Sequence, residues 1–314
     1  MSPARLLEAV PNFSEGRDPA VVDAIVSAVH SAGAYVLDWS ADADHHRSVV
    51  TIVGSPLSVE NAAVAAARVA RDCIDLRRHE GVHPRVGALD VLPFVPLAGL
   101  TMDDARASAR RVGQRLADEL GVPVFFYGAA SDPPGRTLGM LRRGGFETLA
   151  AGWPPDRRPD LLPAHWEHAG AHPTAGIACV GARELLLAWN VFVTGIDHAA
   201  AARIARQLRE TGGGFPGVRA LALRLPRAGR VQISMNLENV RLTPPMDVFR
   251  AIEAHVTAAG GTIEETEVIG MMPDELALGA AADRLKLVPN ATSRLLSRRL
   301  LRLITGEPDL PLDA

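Results

Sequence analysis

The sequence predicts an α+β protein of two lobes, each a split βαβ unit, with a ligand cleft where the lobes meet. Strand and helix signals alternate along both halves, the pattern breaks once across residues 144–173, and it restarts afterwards in the same order. With 314 residues, 47% hydrophobic and 22% charged, the chain can bury a large core without disulfide or metal staples. The expected boundary separates residues 1–175 from 176–314.

Residues 6–10 read as a short strand, ended by Pro11-Asn12-Phe13-Ser14-Glu15-Gly16, whose Asn, Ser and Gly favour a tight turn. Asp18 caps a helix with Pro19 at its first position, and Val22, Ile25, Val26 and Val29 make its apolar stripe as far as Gly33. Residues 35–37 form the next strand, an acidic, histidine-rich loop covers 38–46, and the β-branched run 48–53 makes another strand. Ser55-Pro56 opens a helix striped by Val59, Ala63, Ala66, Ala70 and Ile74. Strand character resumes over 86–95, where Pro93 suggests an edge or a bulge. Thr101, followed by Asp103 and Asp104, starts a helix with Ala105, Ala109, Val112, Leu116 and Leu120 inward, and 122–127 is one more strand.

Residues 144–173 contain Trp153-Pro154-Pro155, Pro159, Pro163 and His165, His168 and His172 with no sustained apolar period. They read as a long connection that joins the lobes and adds to a binding surface. The second half begins with a strand over 185–194 and a helix capped by Asp197, with Ala201, Ile204 and Leu208 inward, ended by Gly212-Gly213-Gly214. Residues 218–225 and 230–237 pair as strands. The second alternates Val231, Ile233, Met235 and Leu237 with Gln232, Ser234 and Asn236, so one face is covered and one is polar. Phe249, Ile252, Val256 and Ala259 stripe a last helix before Gly260-Gly261 and a strand toward Ile269.

Lys+Arg is 33 against Asp+Glu 36, which excludes a strongly basic nucleic-acid binder. Lys286 is the only lysine, so the cations are guanidinium groups, suited to bidentate recognition of carboxylates or phosphates. Cys73 and Cys179 lie in apolar surroundings without C-x-x-C spacing and read as small core residues, not as a zinc ribbon or redox pair. No apolar run approaches the ~20 residues of a membrane span, and Met1-Ser2-Pro3-Ala4-Arg5 lacks a signal peptide's apolar core. A cytoplasmic protein with no membrane partner is expected.

His79-Glu80-Gly81-Val82-His83 is a literal H-E-x-x-H, which on a helix would hold Zn²⁺ between two imidazoles with Glu80 as base. A zinc metallohydrolase is therefore one alternative. Pro84 disfavours helical backbone at His83 and Gly81 weakens the turn, so a bend without metal is expected instead. His165, His168 and His172 have helical ligand spacing, but Gly170 and Pro173 argue against a helix across them.

The wider segment Arg78-His79-Glu80-Gly81-Val82-His83-Pro84-Arg85-Val86-Gly87-Ala88-Leu89-Asp90, taken with Val10-Pro11-Asn12-Phe13-Ser14-Glu15-Gly16, closely resembles the formiminotransferase family, the glutamate formimidoyltransferases of histidine breakdown. The resemblance extends through Gly113-Gln114-Arg115-Leu116-Ala117, Val122-Pro123-Val124-Phe125-Phe126-Tyr127-Gly128, Val180-Gly181-Ala182-Arg183, Ala188-Trp189-Asn190-Val191 and Val231-Gln232-Ile233-Ser234-Met235-Asn236-Leu237. It stops only in the last ~25 residues, and several such blocks in order are far more specific than one short motif. It implies transfer of a formimidoyl group from N-formimidoyl-L-glutamate to tetrahydrofolate, giving 5-formimidoyltetrahydrofolate and L-glutamate in histidine degradation and one-carbon metabolism. It also implies two ferredoxin-like subdomains with folate bound between them, and a homodimer. Some members carry a cyclodeaminase domain after the transferase, and from its length this chain is expected to hold the transferase part only.

His83 matches the family's catalytic histidine, and an imidazole suits removal of the pterin N5 proton during attack and its later delivery to the leaving amine. Asp38 is the first candidate for the acid that favours a protonated donor amidine. The family's second acid falls at Ser40 here, which leaves Asp42 and Asp44 as alternatives. Arg47, Arg85 and Arg183 would hold the anionic glutamate and folate tail. Asn12, Ser14 and His79 are further substrate-side candidates. His172, Thr174 and Gly176 fall in the stretch that matches the family's folate contacts, although an expected Phe-Gly-Pro is Leu161-Leu162-Pro163. These departures keep open a second alternative, a folate-binding relative with a different formimidoyl donor.

Overall fold

The first strand of the computed structural model, which describes residues 5–285, is broken in two: β1 (Leu7–Ala9) and β2 (Asn12–Phe13) flank an interruption at Val10-Pro11. The chain then forms α1 (Pro19–Ser31), the antiparallel hairpin β3 (Tyr35–Asp42) and β4 (Arg47–Gly54), α2 (Pro56–Cys73) and β5 (Leu89–Pro96). It continues through α3 (Met102–Leu120), β6 (Val124–Gly128), the short α4 (Leu138–Leu141) and α5 (Gly145–Ala151), and β7 (Ala178–Ala182). Helix starts follow the local chemistry. Asp18 accepts from the Ala20 N–H at 2.9 Å, and Thr101 and Asp104 form a reciprocal capping box.

The seven strands make one sheet in which β1 and β2 both lie between β4 and β5, with β3 outside β4 and β7 and β6 beyond β5. The last two are added by parallel pairing. Helices α1–α3 cover one face, where Ile25, Val29, Ala63, Ala66, Val112 and Leu116 pack with Leu7, Phe13, Val50, Ile52, Leu92 and Phe94. On the other face Val91, Phe125, Tyr127 and Cys179 meet Leu141 and Leu149 of α4 and α5. Toward β1 and β4 this second face is polar: alternation along the strands places Glu8, Asn12, Arg47 and Thr51 on it.

The described chain divides into two compact units, Arg5–Arg183 and a second beginning at Glu184, not at 175/176. The later division follows from β7, which pairs with β5 and β6 and so belongs to the first sheet. In the second unit β8 (Leu187–Thr194), α6 (His198–Leu208), β9 (Val218–Leu225), β10 (Arg230–Leu237), α7 (Pro245–Ala258), β11 (Thr262–Ile269) and α8 (Asp274–Leu285) follow in order. Its antiparallel sheet runs β11-β8-β10-β9, the same fourth-first-third-second order that β5, β1/β2, β4 and β3 take in the first. Trp189, Val191, Ile233 and Met235 pack there against Ile204, Leu208, Val248 and Ile252.

Several expectations are corrected. β3 runs on to Asp42 where a loop was expected from residue 38, because pairing with β4 outweighs the weak strand preference of Asp38, Ser40 and Asp42. Pro93 sits in interior strand β5. Its missing N–H falls beside the break in the neighbouring strand, where Val10 N–H donates to the Pro93 carbonyl at 3.2 Å. The long connection holds α5, Cys73 is exposed at the end of α2, and Gln232 is fully buried despite its polar register. No helix among the described residues is long and apolar enough to cross a membrane.

Candidate active site

A single 3₁₀ turn, Leu76–Arg78, leads to His79 in extended conformation, and residues 79–83 are not helical. The two imidazoles of the H-E-x-x-H segment therefore share no helix face, and Pro84 and Gly81 act as their chemistry predicts. The segment is pressed against the turn between β3 and β4. Val82 N–H donates to Asp44 O at 3.0 Å, and a Cβ on Gly81 would come within 2.3 Å of His45 O. The His45 and His83 rings meet edge-on with centroids 6.0 Å apart. Gly81→Ala should therefore displace the segment that carries His83, costing roughly 1–3 kcal/mol of stability and lowering kcat; urea unfolding and steady-state kinetics read both.

His83 Nδ1 donates to the Pro84 carbonyl at 2.8 Å, which fixes the tautomer and leaves Nε2 as the lone-pair nitrogen. Burial and the Arg47 and Arg142 guanidinium groups hold its pKa well below 6.5. These two cations converge on Asp90, which is fully buried. Arg47 Nη1 donates to Asp90 Oδ2 at 2.6 Å, Arg142 Nη2 donates to the same oxygen, and Val86 N–H donates to Oδ1 at 2.8 Å. Against the cost of burial, the two guanidiniums keep the Asp90 carboxyl at about 2. Arg47 also donates from Nε and Nη2 to Asn12 Oδ1, at 3.1 and 2.9 Å. Asn12, Arg47, Asp90 and Arg142 thus form one network beside His83.

A second cluster supports the bend. His46 and His79 stack at 4.1 Å, and His79 Nε2 donates to His46 O at 2.7 Å while its Nδ1 is buried without a partner. Burial pushes His79 down to about 4, so its ring is neutral near pH 7. His46 Nδ1 lies 3.1 Å from Glu80 O and Nε2 lies 3.1 Å from Glu15 Oε1. Arg85 is committed to Glu147 in a two-pronged pair, at 2.6 and 3.1 Å, and donates to His79 O at 3.2 Å. It holds the bend and is not a free cation.

The remaining sequence candidates fall in distinct places. Ser14 Oγ donates to Gly87 O at 2.7 Å and is buried. His172 Nδ1 accepts from Ala175 N–H at 3.0 Å, closing its own loop. In the same loop Thr174 O accepts from Leu76 N–H at 2.9 Å. Gly176 has φ +70°, and its absent side chain lets the loop lie against Val86 O. Arg183 follows β7, where its N–H donates to Phe94 O at 3.1 Å. Asp38 stands opposite Thr51, and Asp42 opposite Arg47, so both share the polar sheet face with Arg47. Four residues of strand, ~13 Å, separate Asp38 from Asp42 and the turn that supports His83. Asp90 and Arg142 were missed. Asp90 lay inside a quoted block, whereas Arg142 meets it across 52 residues of chain and gives no local signal.

A model of the formiminotransferase domain's N-terminal subdomain matches residues 6–183, and a formiminotransferase domain model matches 188–288. The chain belongs to the formiminotransferase family. This formiminotransferase is 35% identical over 285 residues to the glutamate formimidoyltransferase of Streptococcus pyogenes serotype M1, covering 88% of this chain and 92% of that one. It is 35% identical over 304 residues to the Thermoplasma acidophilum glutamate formimidoyltransferase, covering 94% and 97%. The Sus scrofa formimidoyltransferase-cyclodeaminase is 39% identical over 292 residues, 89% of this chain and 52% of that one, so the match spans about half of the two-activity relative. The protein is a transferase.

Proposed function

We propose that this formiminotransferase moves the formimidoyl group of N-formimidoyl-L-glutamate to N5 of tetrahydrofolate, with His83 as general base. The carrying observation is the His83 ring itself, with Nδ1–H tied to Pro84 O, Nε2 free of any hydrogen bond among the described residues, and a pKa held below 6.5 by burial and by neighbouring cations. Nε2 takes the N5 proton as N5 bonds to the formimidoyl carbon. The bond from that carbon to the glutamate nitrogen then breaks, and the same proton passes to the departing amine. Asp42, opposite Arg47 and at the turn that supports His83, is better placed than Asp38, ~13 Å along the strand, to be the acid that favours the protonated amidine. Arg47 and Arg183 supply positive potential for the carboxylates of the two co-substrates, and His172, Thr174 and Gly176 form a loop for the folate.

The strand order shared by both units supports reading them as ferredoxin-like subdomains, and the family resemblance is what suggests a cytoplasmic homodimer. The test is a coupled assay on the purified protein. Glutamate should appear from N-formimidoyl-L-glutamate only when tetrahydrofolate is present, with 5-formimidoyltetrahydrofolate formed in equal amount. Release without folate, or none with it, overturns the reading.

A further inference from the structure

The polar sheet face holds a carboxyl group that the reaction above does not use. Glu8 is 4% exposed, and its Oε2 is buried without a hydrogen-bond partner. On neighbouring β4, Val53 stands opposite Glu8 and Thr51 lies two residues along, so Thr51 is Glu8's diagonal neighbour, about 7–8 Å away. Thr51 is 1% exposed, and its Oγ1 is likewise buried and unpartnered. On the other side Glu8 stands opposite Val95 of β5, beyond which Arg183 follows β7, close enough for its positive charge to act on the Glu8 carboxyl. Helices α1–α3 pack on the opposite face, so nothing in their apolar stripes requires a carboxyl at this position.

A buried acceptor without a donor lowers stability; the Arg183 cation offsets part of that cost at Glu8 but Oε2 still has no donor, and neither has the diagonal Thr51 hydroxyl a partner. Such costs collect where a ligand later supplies the missing partner. We infer that Glu8 and Thr51 form a recognition site for a planar N–C–N edge carrying two N–H groups. That edge is common to an amidine and to the 2-aminopyrimidinone ring of a reduced pterin, so the inference rests on the proposed reaction and names what part of its substrates is held here. The two carboxylate oxygens match two parallel N–H donors, and the Thr51 hydroxyl can give or accept the adjoining bond. Burial raises the Glu8 pKa above 4.5, the direction expected of a carboxyl waiting for donors.

Stability and binding separate this role from a structural one. Because the folded-state pKa is raised, the native protein carries a penalty that grows as pH rises above 4.5, and the apolar, similarly shaped Glu8→Met removes it. Glu8→Met should melt at or above the wild-type temperature, while the KM of one co-substrate rises about 10- to 100-fold, the loss expected of hydrogen bonds to a charged group. Thr51→Val should shift the same KM less. A rise in the KM of N-formimidoyl-L-glutamate assigns the amidine. A rise in that of tetrahydrofolate, with weaker calorimetric binding of 5-formyltetrahydrofolate, assigns the aminopyrimidinone. Glu8→Gln, which keeps shape and one acceptor, decides the matter if the methionine variant does not fold. Unchanged KM values in the folded variants overturn the inference, whatever happens to the melting temperature. A wild-type protein that fails the coupled assay instead overturns the reaction.

Discussion

His83→Ala should lower kcat by about 10²–10⁴-fold, the usual contribution of a positioned general base, with little change in melting temperature, since the half-buried ring makes one hydrogen bond, to its neighbour Pro84. The pH profile tests the same residue in the wild type. Burial, Arg47 and Arg142 push the His83 pKa below 6.5, so the neutral base persists as pH falls past that value. Activity in kcat/KM should therefore stay level through pH 6.5 and decline only on further acidification. Arg142→Gln removes one of the cations and should move that acid limb upward toward 6.5 without abolishing turnover. An acid limb already at 6.5 in the wild type, or a His83→Ala enzyme with near-normal kcat, would exclude His83 as the base.

Much of the fold was legible because each signal was local. Asp18-Pro19, Ser55-Pro56, Thr101 with Asp104, and Asp197 mark helix starts that the structure places at those residues. Errors arose where pairing between distant segments decided the outcome. Asp38, Ser40 and Asp42 carry weak strand preference and become strand only because β4 lies alongside. Pro93, which reads as an edge or a bulge, lies in an interior strand beside the break at Val10-Pro11 and near a register shift between β2 and β5.

The site divides in the same way. Pro84 and Gly81 are enough to turn an apparent zinc helix into a bend, and both effects act within one or two residues. What the bend rests on could not be read locally, because His46 and Glu15 approach it from two other segments and Arg142 from a third. Arg85 sits in the matched block, and its bond to Glu147, 62 residues away, has no local signal in the sequence.

Asp90→Ala should be the most destabilising single change near the site. It strands two nearly enclosed guanidiniums, Arg47 and Arg142, without their shared carboxylate and removes the acceptor of the Val86 N–H. Breaking a buried ion pair from one side costs about 3–5 kcal/mol, so urea unfolding should show a loss of that size. Asp90→Asn, which keeps an acceptor but not the charge, should lose less. The charge has its own signature in pH. The Asp90 carboxyl titrates near 2 in the folded protein against an ordinary 3.8, so the unfolded chain binds the proton first. Its stabilisation is therefore complete above pH 3.8 and disappears as pH falls through about 2. Subtracting the Asp90→Asn stability curve from the wild-type curve isolates that window. A difference that stays constant down to pH 2 would mean that the carboxylate is not held ionised by Arg47 and Arg142.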